Sequence, residues 1–185
     1  MTIAAGALAL AAAGTAAGSA RVHGRAYPYG APPGTTGGFG ESTCQMCHVG
    51  AELNEAGGSL SVDGLPERYT PGHTYRLLVR LGRGEMGAAG FQLSARTAAG
   101  AQAGRLQAAG AEAQVQPSGS VQYAGHTEAG SAPASPGVAE WAVQWTAPAA
   151  GAGPVRIHAA ANAADGDRSP IGDFVYAVEK QVAPR

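Results

Sequence analysis

Beyond Gly57-Gly58 the apolar residues of this chain fall at every second position, and no helix can be built on that period. Leu60 and Val62 alternate before Asp63-Gly64, and Tyr75, Leu77 and Val79 alternate after Pro71-Gly72. Phe91, Leu93 and Ala95 follow the turn around Met86-Gly87, and Val121 and Tyr123 come next. Trp141, Val143 and Trp145 form another run, then Val155, Ile157 and Ala159, then Phe174, Tyr176 and Val178. Alternation of this kind turns one side of a strand to a core and the other to solvent. About seven or eight such runs, punctuated by Gly, Pro and Asp, predict an all-β fold: an immunoglobulin-like antiparallel β-sandwich over residues 59–180. The 29 glycines and 12 prolines agree, since both residues interrupt helices. Residues 98–113 and 124–137 are rich in Ala and Gly and read as long loops or frayed edge strands. Trp141 and Trp145 share a face with Val143, which makes them core residues first and candidates to line a bound group second.

Residues 21–58 have a different texture. A stretch such as Tyr27-Pro28-Tyr29-Gly30-Ala31-Pro32-Pro33-Gly34 cannot form a core of its own and reads as an extended arm. The arm carries Cys44-Gln45-Met46-Cys47-His48, the C-x-x-C-H spacing of covalent haem attachment. Two thiols separated by two residues can add to the two vinyl groups of one porphyrin, and the next residue then sets an imidazole beneath the iron. Cys44, Cys47 and His48 are therefore the expected cofactor-binding residues for one haem c, with His48 as an iron ligand. These are the only two cysteines in the chain. A disulfide or thioredoxin-like pair competes, although no βαβ pattern surrounds it. Half of a zinc site competes less well, because no second pair stands at ligand spacing.

The sixth iron position has several candidates. His126 stands at a strand end, where loops gather, and is the first choice. His158 is out of phase with Val155 and Ile157, so it points away from that core face. Met86, in Gly84-Glu85-Met86-Gly87, reads as an exposed loop thioether. His158 and Met86 are the alternatives to His126. His73 follows a Pro-Gly turn and reads as solvated, and His23 lies close to the N-terminal end. A His/His pair would give a lower potential than His/Met, because a thioether stabilises ferrous iron.

A net charge of −1 with scattered basic residues gives no nucleic-acid footprint. Residues 1–20 read as a secretory signal: apolar from Ile3 to Ala13, then small residues to Ala20, with no charge before Arg21. The missing basic residues at the start leave the true start in question. The apolar stretch is shorter than the ~20 residues of a membrane span, so export to the periplasm or cell envelope is expected. Asp165, Asp167 and Asp173 near Asn162 raise calcium, but their spacing is not that of an EF-hand loop, and Asp and Asn beside Gly suit tight turns.

Several stretches resemble a bacterial family of exported Reeler-like β-sandwich domains, also called choice-of-anchor domains. They are Gly57-Gly58-Ser59-Leu60, Tyr69-Thr70-Pro71-Gly72-His73-Thr74-Tyr75, Ala89-Gly90-Phe91-Gln92-Leu93, His126-Thr127 and Trp145-Thr146-Ala147-Pro148. The run from Ala160 to Asp167 and Gly172-Asp173-Phe174-Val175-Tyr176 complete them. The resemblance implies a sandwich at the cell envelope with an upstream Cys/Cys-His segment, and little about biochemical role. The chain ends Val182-Ala183-Pro184-Arg185 rather than in an anchoring tail, so a soluble periplasmic form is expected. The functional expectation is a monohaem electron carrier serving an unknown redox partner protein in the envelope. One rival is a non-redox envelope binding module with a Cys44–Cys47 disulfide; another is a haem enzyme or gas sensor with an open iron position. No Ser/His/Asp or paired-carboxylate constellation supports a hydrolase.

Overall fold

The computed structural model describes residues 30–185, so the expected signal segment and His23 lie outside the described residues. The expected all-β sandwich is what forms. Its strands are β1 (Val49–Gly50), β2 (Gly58–Asp63), β3 (Arg68–Tyr69), β4 (Thr74–Arg83), β5 (Ala88–Thr97) and β6 (Arg105–Ala108). They continue as β7 (Ala113–Ser118), β8 (Val121–His126), β9 (Val138–Thr146), β10 (Val155–Ala164) and β11 (Ile171–Pro184). One sheet runs β1-β11-β10-β5-β8-β7, with β3 also paired to β11, and the other runs β2-β4-β9-β6.

The core lies between the sheets and is built from the alternating residues. Leu77, Val79 and Leu81 of β4 and Trp141, Val143 and Trp145 of β9 face Phe91 and Leu93 of β5 and Ile157 of β10, all essentially without exposure. Trp141 stacks on Phe91 with ring centroids 4.6 Å apart. A buried indole N–H needs an acceptor. Trp141 Nε1 donates to the Gly130 carbonyl at 2.7 Å, and Trp145 Nε1 to that of Ala103 at 3.0 Å. Both tryptophans are core residues.

The stretch 98–113, expected as a long loop or a frayed edge strand, holds the edge strand β6, which pairs with β9 and buries Leu106. A departure concerns β5 and β10, which are buried on both faces. Their second face is not solvated, because the arm lies across it. Gln92, Ser94 and Arg96 of β5 and His158 and Asn162 of β10 are polar residues in strand alternation, yet all are buried. Alternation predicts which side of a strand a residue occupies; it does not predict what covers that side.

The outer edge of β11 is closed by three separate pieces. Parallel β1 pairs with Ile171 and Asp173, and parallel β3 pairs with Ala183 and Pro184. Between them Asn54, at φ +61°, donates its backbone N–H to the Val175 carbonyl, and its side-chain oxygen accepts from the Ala177 N–H.

Candidate functional site

The arm is tied to the sheet before it reaches the cysteines. Gln92 makes four bonds to arm backbone: its side-chain oxygen accepts from the N–H groups of Gly34 (2.8 Å) and Thr35 (2.7 Å), and its amide donates to the carbonyls of Pro32 (2.9 Å) and Ala31 (3.3 Å). A second tie is ionic. Glu41 accepts from the Arg96 guanidinium, from the Tyr123 hydroxyl at 2.5 Å and from the Thr36 hydroxyl at 2.5 Å. Arg96 also donates to the Tyr123 oxygen at 2.6 Å. Burial works to raise the Glu41 carboxyl, but the bonds from Arg96, Thr36 and Tyr123 outweigh it, so the group sits below the ordinary carboxylate range. Burial, with the bond to Glu41 second, pushes the Tyr123 phenol up to about 12.

The motif follows as a single tight turn. Cys44–Met46 is a 3-10 helix whose N-cap, Thr43, accepts from the Gln45 N–H. The N–H groups of Cys47 (3.1 Å) and His48 (2.9 Å) both donate to the Cys44 carbonyl, so the turn closes directly onto the histidine. The two cysteines are not equivalent. Cys44 is buried against Ala160 and Val175 on the outer face of the first sheet, and Cys47 is exposed. Burial pushes the Cys44 thiol up to about 12.

His48 leads into β1, which comes very close to β11. Gly50 has φ +125°, and a Cβ there would stand 2.8 Å from the Gly172 nitrogen, so only glycine fits. That approach sets His48 beside Asp173. The imidazole Nδ1 and a carboxylate oxygen of Asp173 are 2.5 Å apart. The Asp173 side chain is 1% exposed and that of His48 34%. With Nδ1 taken up by the carboxylate, Nε2 is the ring nitrogen left for another partner.

Exposed large apolar side chains stand beside this histidine in the chain and across the sheet: Met46 and Val49 flank it in sequence, and Ile171 is the strand partner of Val49. Leu53 and Phe39 are also exposed, and Phe39 packs on His158. Exposed apolar residues scattered singly mean little, but a group of them beside one histidine marks a surface meant to be covered.

The expected sixth ligands are not brought to this place. His126 does stand at a strand end, with its ring over Gly90 and its Nδ1 3.2 Å from the Phe91 nitrogen. Two strand spacings, about 10 Å, separate β5 from β11. His158 does point to the outer face, where the arm seals it: Gly38 lies on its ring, Phe39 packs edge-on at 5.1 Å, and its Nε2 is 3.2 Å from a Glu179 oxygen. Met86, expected as an exposed thioether, is instead 8% exposed and part of the sandwich core. The correction has a simple cause. The β4–β5 turn is tied to the end of β10 by the Gly87 N–H donating to the Ala164 carbonyl, and Met86 packs inward with the core residues. His73 packs edge-on against Tyr75 in its turn.

The calcium carboxylates are spent on turns. Asp165 accepts from the Asp167 N–H at 2.8 Å and Asp167 from the Ser169 N–H at 2.6 Å. Asp173 is on the other side of this chemistry, facing His48. It is the partner of His48 that spacing does not reveal. Among the described residues no group of three His, Cys, Asp or Glu side chains is arranged to hold a metal ion by itself. No helix among them is long and apolar enough to cross a membrane.

No family model matches the chain, and no curated protein matches it at a significant level. Among solved structures the chain is similar to the Reelin-N domain of F-spondin, at 23% identity and a TM-score of 0.48, covering 77% of this chain and 95% of that one. It is similar to a human F-spondin reeler domain at 23% identity and a TM-score of 0.47, covering 73% of this chain and 95% of that one. A cohesin of Acetivibrio cellulolyticus scaffoldin B is similar at 12% identity and a TM-score of 0.41, covering 65% of this chain and 98% of that one. Each is a likeness of fold. The chain is a β-sandwich similar to Reeler domains.

Proposed function

We propose that this chain is an exported monohaem c-type cytochrome, an electron carrier whose haem is bound to Cys44 and Cys47 with His48 as an iron ligand. One observation carries the reading. The C-x-x-C-H turn presents a partly exposed imidazole whose Nδ1 is held by a buried carboxylate, which leaves Nε2 as the ring nitrogen for a ligand, with exposed Met46, Val49 and Ile171 close by in the chain and the strand pairing.

The donor set fits the group. Both cysteines are free thiols, as thioether formation requires. A metal-ligating histidine ordinarily engages its other ring nitrogen with a carboxylate or carbonyl, and His48 does so. Met46, Val49 and Ile171 offer exposed apolar surface of the kind a porphyrin face needs. Cys44 is the residue that must adjust, since its sulfur has to leave Ala160 and Val175 to be alkylated. When bound, haem supplies a one-electron iron couple. The chain's own part is to hold the imidazole, exclude water with that apolar surface and fix the arm through Gln92 and Glu41. The redox partner belongs to the cell envelope on this reading.

The buried Cys44 also favours a second reading, a non-redox envelope binding module in which the Cys44–Cys47 pair is a disulfide. Intact mass separates the two. Protein exported alongside haem-maturation machinery is expected to weigh one haem more than its mature chain, to be red, and to keep its colour through acid–acetone extraction. A colourless product two hydrogens lighter than the reduced chain refutes the cytochrome and leaves the module.

A further inference from the structure

We infer that Asp173 is the positioning residue of His48: it fixes the ring as the Nδ1–H tautomer, keeps Nε2 bare as the donor atom, and makes that donor electron-rich. The inference rests on the haem reading for its consequence, but the tautomer itself does not.

A buried carboxylate is costly to keep unless it is paired. Asp173 is 1% exposed on its side chain, and His48 is the side-chain partner that the structure assigns it, at 2.5 Å. The pairing is not a chance meeting of flexible groups. On one side Asp173 sits in β11, in alternation with the buried Val175. On the other, His48 is pinned between the turn bond to Cys44 and the β1 register that matches Gly50 to Asp173. The glycine requirement at position 50 serves this contact, because any side chain there would push β1 off β11.

The chemical consequence follows from the charge. A carboxylate accepting from Nδ1–H is a stronger bond than one to a neutral oxygen, and it shifts electron density through the ring to Nε2. With haem bound, a more basic ligating nitrogen would stabilise ferric over ferrous iron, so the carboxylate would lower the potential. A residue that merely glued the arm to the sheet would not need a charge.

The test uses wild type, Asp173→Asn and Asp173→Ala. Asparagine keeps an acceptor oxygen and loses the charge, whereas alanine loses both. Ring 15N resonances of His48 in wild-type protein made without haem, recorded at alkaline pH, are expected to report the Nδ1–H form. Free imidazole side chains prefer the opposite tautomer, so an Nε2–H spectrum overturns the inference without any variant having to fold. In haem-loaded protein the midpoint potential is expected to rise from wild type to Asn and again to Ala. Equal potentials across all three, with equal haem content and the same spectrum, also overturn it. Wild type that takes up no haem sinks the cytochrome reading, while the tautomer measurement still decides the role of Asp173.

Discussion

Replacing Glu41 with Gln tests whether the arm is held by charge. Its partner Arg96 has a side chain only 7% exposed, and that of Glu41 is 14% exposed, so this is an interior ion pair. Glutamine still offers one oxygen to Arg96, Tyr123 or Thr36, but the guanidinium loses its counter-charge. The neighbouring rings, Phe39 at 5.1 Å and Tyr123 at 5.2 Å, return only part of it. Breaking a buried pair by removing one charge costs about 3–5 kcal/mol, and the remaining acceptor puts E41Q near the lower figure. For a chain of this length about 3 kcal/mol corresponds to a fall in Tm of about 6–12 °C. The sign with pH is fixed by the depressed Glu41 carboxyl. Its contribution is complete above the unfolded glutamate value of about 4.3 and is lost as pH falls through the lower folded value. The gap between wild type and E41Q is therefore expected to be full at pH 6–7 and to close below about pH 4. Urea titration across that range measures it, and hydrogen exchange of residues 34–47 shows whether the arm opens alone or with the sandwich. A loss under about 0.5 kcal/mol at pH 7, no more than an exposed pair gives, refutes the argument.

Three other expectations are simpler to check. In haem-free protein at neutral pH, iodoacetamide labels Cys47 quickly and Cys44 slowly, because Cys44 is buried and its thiol is pushed up to about 12; equal rates by peptide mass mapping contradict it. Trp141→Ala removes the stack on Phe91 and leaves a large cavity, for a loss of about 3–5 kcal/mol in denaturant titration. Gly50→Ala places a Cβ against the Gly172 nitrogen at positive φ, a strain of about 1–3 kcal/mol. Its expected signature is faster exchange at Val49 and a His48 ring resonance no longer tied to Asp173; unchanged spectra contradict the role given to this glycine.

The sandwich was legible because its core residues repeat with period two, and Trp141, Val143 and Trp145 could be placed from spacing alone. The turn that carries Cys44, Cys47 and His48 was legible as a motif because its residues are contiguous in the chain. Asp173 was not, since 125 residues separate it from His48 and it stands among turn-forming aspartates. A usable signal existed: Asp173 is in phase with Val175 and Ala177, opposite to the core-facing Phe174 and Tyr176, so it marks the second face of β11. Gln92, Arg96 and His158 were hidden for a related reason. Their phase assigns them to an outer face, and nothing local in β5 or β10 announces that a Gly/Pro-rich segment will cover it.

The patchwork along the margin of β11 bears on how the molecule behaves at high concentration. A fourteen-residue strand with an open row of amide and carbonyl groups is a template for any extended peptide that drifts by. Here the row is interrupted near its start, middle and end, and the exposed stretch Glu179-Lys180-Gln181 that remains carries charge of both signs. A visiting chain finds no run long enough to zip onto. Copies of the chain at high concentration are thus denied a strand edge on which fibres grow.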